Sequence, residues 1–162
     1  MSNIARWNIL PGNNTDAPPD GAPENMLRSA VNNVMREMMA ATARWYGDSK
    51  STQTAGGTAN ALTLDTVGKL NGSGYQFLTD IPILVFRALS TNTGPVTLNV
   101  DGLGVKNFFK SPGSIAFSAG EIIAGQLLVV AYNQTGVGQF ELIGPSISRD
   151  GFATNTAMLF YM

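Results

Sequence analysis

Downstream of residue 60 the apolar residues come in short segments, each closed by turn chemistry. That punctuation constrains the fold more than any other feature of the chain. The stretch "VTLNVDG" shows it best, with Val96, Leu98 and Val100 alternating with Thr97, Asn99 and Asp101. A period of two belongs to a strand with one face buried. Asp101-Gly102 supplies the residues of a tight hairpin turn, so the chain is expected to return along 105–110. Further candidate strands are 61–66, 75–78 after Asn71-Gly72, 83–89, 115–118, 125–133 and 139–143. About eight short strands over roughly ninety residues give a mainly β fold, a small antiparallel β-sandwich or flattened barrel. Leu84, Phe86, Leu98, Val100, Leu127, Val129 and Leu142 are expected to fill its interior.

Upstream the period changes. Leu27, Val31, Val34, Met38, Ala41 and Trp45 are spaced 4, 3, 4, 3, 4, the spacing of a supercoiled helical seam. Pro23 and Glu24 suit a first helical turn, with the carboxylate at the positive end of the helix dipole. Gly47 reads as the stop signal, which places a long α-helix at 24–47. Met35, Met39 and Tyr46 widen the apolar stripe on one flank. A helix of about 20 residues is marginal by itself, so its stripe must be covered, either by its own domain or by copies of itself. The β segment carries a core of adequate size without the helix, which favours an assembly role.

The remaining segments are irregular. An extended leader, 1–23, packs Pro, Gly, Asn and Asp around Ile4, Trp7, Ile9 and Leu10. Apolar residues on a segment without its own period point to docking, on the chain's own body or on another subunit. Residues 48–57 read as a linker, 58–145 as the β domain and 146–162 as a C-terminal tail. The tail closes on Met158, Leu159, Phe160 and Tyr161, an apolar run suited to adding a strand at a sheet edge, its own or a neighbour's.

Composition narrows the function. Charged residues are 13% of the chain and the formal net charge is −1, so no basic stripe exists to follow a phosphate backbone. Insertion into a membrane is not expected either, because no apolar run approaches the ~20 residues that span a bilayer. Cysteine and histidine are both absent, which removes thiolate metal sites and the commonest general base. Asp16, Asp20 and Glu24 are separated by prolines and cannot align on a helix, and their spacing does not fit a calcium loop. Glu121, Glu141 and Asp101 fall at separate strand ends rather than as a carboxylate pair. Tyr75, Tyr132 and Phe108 suit core packing better than a sugar site. No catalytic group, metal or cofactor is expected, and the chain is read as a non-enzyme.

Ala30-Val31-Asn32-Asn33, Met35-Arg36, Met38-Met39-Ala40-Ala41 and Arg44-Trp45-Tyr46 resemble the N-terminal signature of bacteriophage tail-fibre and related virion fibre proteins. There, a Trp-containing leader precedes a helix of this kind. "FRALSTNTGPVTLNVDGLGVK" and "AGEIIAGQLLVVAYN" are similar to the β domain that follows, so the resemblance covers roughly residues 7–142. Asn33 stands where that family often has Asp or Glu. The resemblance implies a virion protein, assembled in the host cytoplasm, that forms a homotrimer through the helix. It implies that Trp7 and the leader dock on other tail or head proteins of the particle. Members usually continue into a shaft and a receptor-binding tip, whereas this sequence ends at Met162. A short fibre or a fibre adaptor is therefore expected, with the apolar tail as the joint to a distal fibre. The alternative is a carbohydrate-binding module that recognises host surface glycan directly.

Overall fold

A computed structural model describes residues 15–18, 21–50, 53–70, 72, 74–111 and 113–144. The residues expected to dock, Ile4, Trp7, Ile9 and Leu10, and those expected to form the C-terminal joint, Met158, Leu159, Phe160 and Tyr161, lie outside the described residues. Within them the fold is mainly β, with one long helix beside a nearly closed, barrel-like sheet.

Helix α1 runs Arg28–Ser49, later at both ends than the sequence suggests. Asn25 takes a left-handed φ of 61°, which breaks the helical path just after Pro23 and Glu24. Leu27 then acts as N-cap in extended conformation, without a side-chain cap bond. Gly47 is not a stop signal but an interior residue of the helix. A β-carbon there would lie 2.8 Å from Val67 Cγ2, so the missing side chain is what lets the next element press against α1. That element is the short helix α2, Val67–Leu70.

Among the described residues nine strands form one sheet. They are β1 (Gln53–Thr54), β2 (Gly56–Gly57), β3 (Ala61–Leu64), β4 (Leu84–Arg87), β5 (Val96–Val100), β6 (Lys106–Lys110), β7 (Ile115–Ala116), β8 (Leu127–Asn133) and β9 (Gln139–Leu142). Their order is β1-β4-β8-β9-β6-β5-β3-β2, with β7 paired to β6 off this path. The two ends of that order are separated in the chain by Ala55 alone. One continuous stretch therefore pairs with β4 through its first half and β3 through its second, drawing the sheet's edges together. Ala55 is buried, and its N–H donates to the Arg87 carbonyl at 2.8 Å. Residues 53–57, read from sequence as linker, thus belong to the sheet.

The expected wholly antiparallel sheet is corrected to a mixed one, because β1 pairs β4, β3 pairs β5 and β6 pairs β9 in parallel. The expected strand 75–78 does not form. The Tyr75 N–H donates to the Asp101 carboxylate instead of to a ladder, and Leu78–Asp80 make a 3-10 turn.

Leu62, Leu64, Leu84, Phe86, Val96, Leu98, Val100, Phe108, Val130 and Phe140 fill the barrel, capped by Phe117 and Ile122 from the loops. Phe108 meets Phe117 with ring centroids 5.0 Å apart, and Tyr132 meets Phe140 edge-on at 5.3 Å. Large side chains of this kind contribute roughly 1.5–3 kcal/mol each when fully buried. The expected core residues on β8 are on the wrong face: Leu127 is 44% exposed while Leu128 is fully buried. Registers explain it, since Leu128 lies opposite Phe86, and Val130 opposite both Leu84 and Leu142.

Candidate functional site

The helix is joined to the barrel by a small buried polar cluster built at a turn. Asp101 and Gly102 have φ of 55° and 76°, the signs of a type I′ turn, and the Leu103 N–H closes it on the Val100 carbonyl at 3.0 Å. This geometry turns the Asp101 carboxylate inward, where it accepts from the Thr66 N–H (2.8 Å), the Thr66 hydroxyl (2.8 Å) and the Tyr75 N–H (3.0 Å). Thr66 in turn accepts from the Lys69 N–H at 3.2 Å, an N-cap bond for α2. From the last turn of α1, Asp48 accepts from the Val67 N–H at 2.8 Å and the Tyr75 hydroxyl at 3.1 Å. Burial pushes the Asp48 carboxyl above its ordinary range, against the two donors and helped by the Asp101 charge. Burial likewise pushes the Tyr75 phenol upward, with the neighbouring Asp48 and Asp101 charges adding to it. The cluster fixes the angle of α1 on the barrel.

Along α1 only a narrow face is covered. Val34 and Ala41 are 7% and 4% exposed, and Asp48 is fully buried. Yet the two apolar residues do not belong to the barrel's core cluster. The rest of the apolar stripe faces outward, with Leu27 76% and Met39 71% exposed and Val31, Met35, Met38, Trp45 and Tyr46 also exposed. At the pitch of an α-helix the covered and exposed apolar positions are centred about 90° apart. Toward the C-terminal half of the helix an open hollow of about 640 Å³ is lined by Met38, Met39, Thr42, Ala43, Trp45 and Tyr46. The six positions named from sequence as an interface therefore do not share one environment. Leu27, Val31, Met38 and Trp45 are open, and Val34 and Ala41 are occupied within the chain.

The carboxylates weighed for catalysis each have structural partners. Glu121 binds Lys110 through both oxygens (2.9 and 2.8 Å) and accepts from the Ser118 N–H. Burial works against the Glu121 charge, but these bonds and the Lys110 charge outweigh it and hold its carboxyl below the usual range. Glu141 accepts from Asn133 at 2.6 Å and Gln139 at 2.9 Å. Phe108 is fully inside the barrel and the Tyr75 hydroxyl is committed to Asp48, so Tyr75, Tyr132 and Phe108 do not form one surface. Among the described residues no group of three or more acidic side chains is placed to hold a metal ion. Nor is any described helix long and apolar enough to cross a membrane.

Sequence reasoning missed the Asp48–Tyr75–Asp101–Thr66 cluster. Its one visible signal was Asp101-Gly102, which announces a turn and says nothing of what the carboxylate reaches. Asn92 was missed too: its side chain joins the Gly94 and Ser118 carbonyls to the Ile122 N–H, pinning two loops at one end of the barrel. Comparison with known proteins identifies no family, as no family model and no curated protein matches the chain.

Proposed function

We propose that the chain is a non-enzymatic structural protein of a tailed bacteriophage, a short fibre or fibre adaptor in which helix α1 joins copies into a homotrimer. The barrel then serves as a spacer or a platform for a neighbouring component. One observation carries this most: α1 leaves a long apolar face open, on a barrel whose core is filled without it. Exposed apolar surface on this scale marks an interaction site rather than a solvated face. The virion setting rests on the resemblance of the helix sequence, and the trimer on that resemblance together with the open face.

Light scattering at increasing concentration tests it. The expected mass is three times the 17.1 kDa of the single chain, with α1 intact by circular dichroism. A monomer that persists at high concentration with the helix formed would overturn the proposal.

A further inference from the structure

The open face of α1 has a period of its own. Val31, Met35, Met38, Thr42 and Trp45 are spaced 4, 3, 4, 3, which repeats the seam spacing about 40° around the helix from the seam that includes Val34 and Ala41, with Val31, Met38 and Trp45 common to both. None of the five is buried, and none carries a charge. Val34 and Ala41, two of the six members of the seam expected from sequence, are already covered within the chain.

We infer that copies of this chain meet in parallel along Val31, Met35, Met38, Thr42 and Trp45, with Thr42 forming one polar layer, rather than along Leu27, Val31, Val34, Met38, Ala41 and Trp45. The inference rests on the proposal that the chain self-associates, and specifies the surface.

A second copy suits this face better than an unlike partner. Seam spacing is the pattern by which helices pack on helices, each side chain entering a hole between four others. The five positions are neutral, so bringing them against their copies sets no like charges together; Arg28, seven residues before Met35, stays exposed at the first residue of the helix. Together with its apolar flanks the stripe is broad enough: Leu27, Val31, Met35, Met38, Met39, Trp45 and Tyr46 expose on the order of 800 Å², about what each side of a standard interface buries. Thr42 is the one polar member, and its hydroxyl donates to the Met38 carbonyl of its own helix at 2.9 Å. It can therefore be enclosed without leaving an unmade hydrogen bond. Parallel copies stack Thr42 on Thr42 and the apolar layers on one another. An antiparallel pairing would set Thr42 against Val31 or Met35.

The absence of cysteine from the chain makes the test direct. Single variants Thr42→Cys, Met35→Cys, Ala41→Cys and Asn33→Cys of the full chain are oxidised with copper–phenanthroline and run on non-reducing gels, alongside light scattering. The expected result is covalent dimer from Thr42→Cys and Met35→Cys. Ala41→Cys, on the covered face, and Asn33→Cys, exposed on the side of the helix away from the seam, are expected to stay at background. Cross-linking at Ala41→Cys but not Thr42→Cys, in a chain that still oligomerises, overturns the inference and leaves the proposed self-association standing. Equal cross-linking at Thr42→Cys and Asn33→Cys shows random collision and also overturns it. A monomeric mass with no cross-link at any site defeats both.

Discussion

Asp101 holds a backbone φ of 55°, a region where a β-carbon is crowded by its own carbonyl. It keeps that conformation because its carboxylate gathers three donors from Thr66 and Tyr75. Asp101→Ala retains the crowding and strands buried donors, so it should lower stability by about 2–4 kcal/mol in urea unfolding. Asp101→Asn tolerates the backbone and keeps one acceptor oxygen, and should fall between the two. Asp48 behaves in the opposite sense from a typical paired carboxylate. Its folded pKa is raised above the ordinary 3.8, so the folded chain binds its proton more tightly than the unfolded chain does. Its contribution to stability is therefore greatest when protonated, and declines as pH rises from that ordinary value through the raised one. Glu121 is lowered from 4.5, so its contribution is present above that value and is lost as pH falls through the lowered one. Thermal melts across the acid range should show Asp48→Asn removing the former slope and Glu121→Gln the latter. Asp101 was legible in sequence as a turn residue. Its second role was not, because Thr66 and Tyr75 lie 35 and 26 residues away, and local pattern carries no information at that range.

Among the elements, strands with clean alternation were the readable ones. Val96–Val100 shows the buried and half-buried alternation that its sequence announces. β8 was placed correctly but turned over, because Leu127, Leu128, Val129 and Val130 are all apolar and nothing in such a run fixes which parity faces inward. The structure decides it through neighbours, and mutation should follow. Leu128→Ala should cost about 2–5 kcal/mol by leaving a cavity against Phe86. Leu127→Ala, on the outer face, should cost less than about 1 kcal/mol. Chemical denaturation of the pair measures the difference. β1 and β2 could not be seen in sequence, since two residues each and a pair of glycines leave no period to detect. The helix was legible by spacing, yet spacing alone chose a seam through Val34 and Ala41. Periodicity reports which residues are apolar, not which flank its own chain covers first.

At the scale of the molecule, closure of the sheet depends on residues 53–57. Gly57 has φ +84°, and a β-carbon there would sit 2.2 Å from the Ala61 carbonyl oxygen. Gly57→Ala should therefore pull β2 off β3 and destabilise the chain by about 1–3 kcal/mol, measurable as a lower midpoint in urea together with faster amide exchange in β3. A mainly β body with one helix was evident from the switch in hydrophobic period. Its near-closed form was not, because that depends on where two distant edges meet. The outermost strands of the path, β1 and β2, are two residues long. So brief a border gives an incoming chain almost no free backbone to hydrogen-bond with. Concentrated protein should consequently resist ribbon-like polymerisation through the described strands, where a partner finds side chains to grip rather than a long backbone edge.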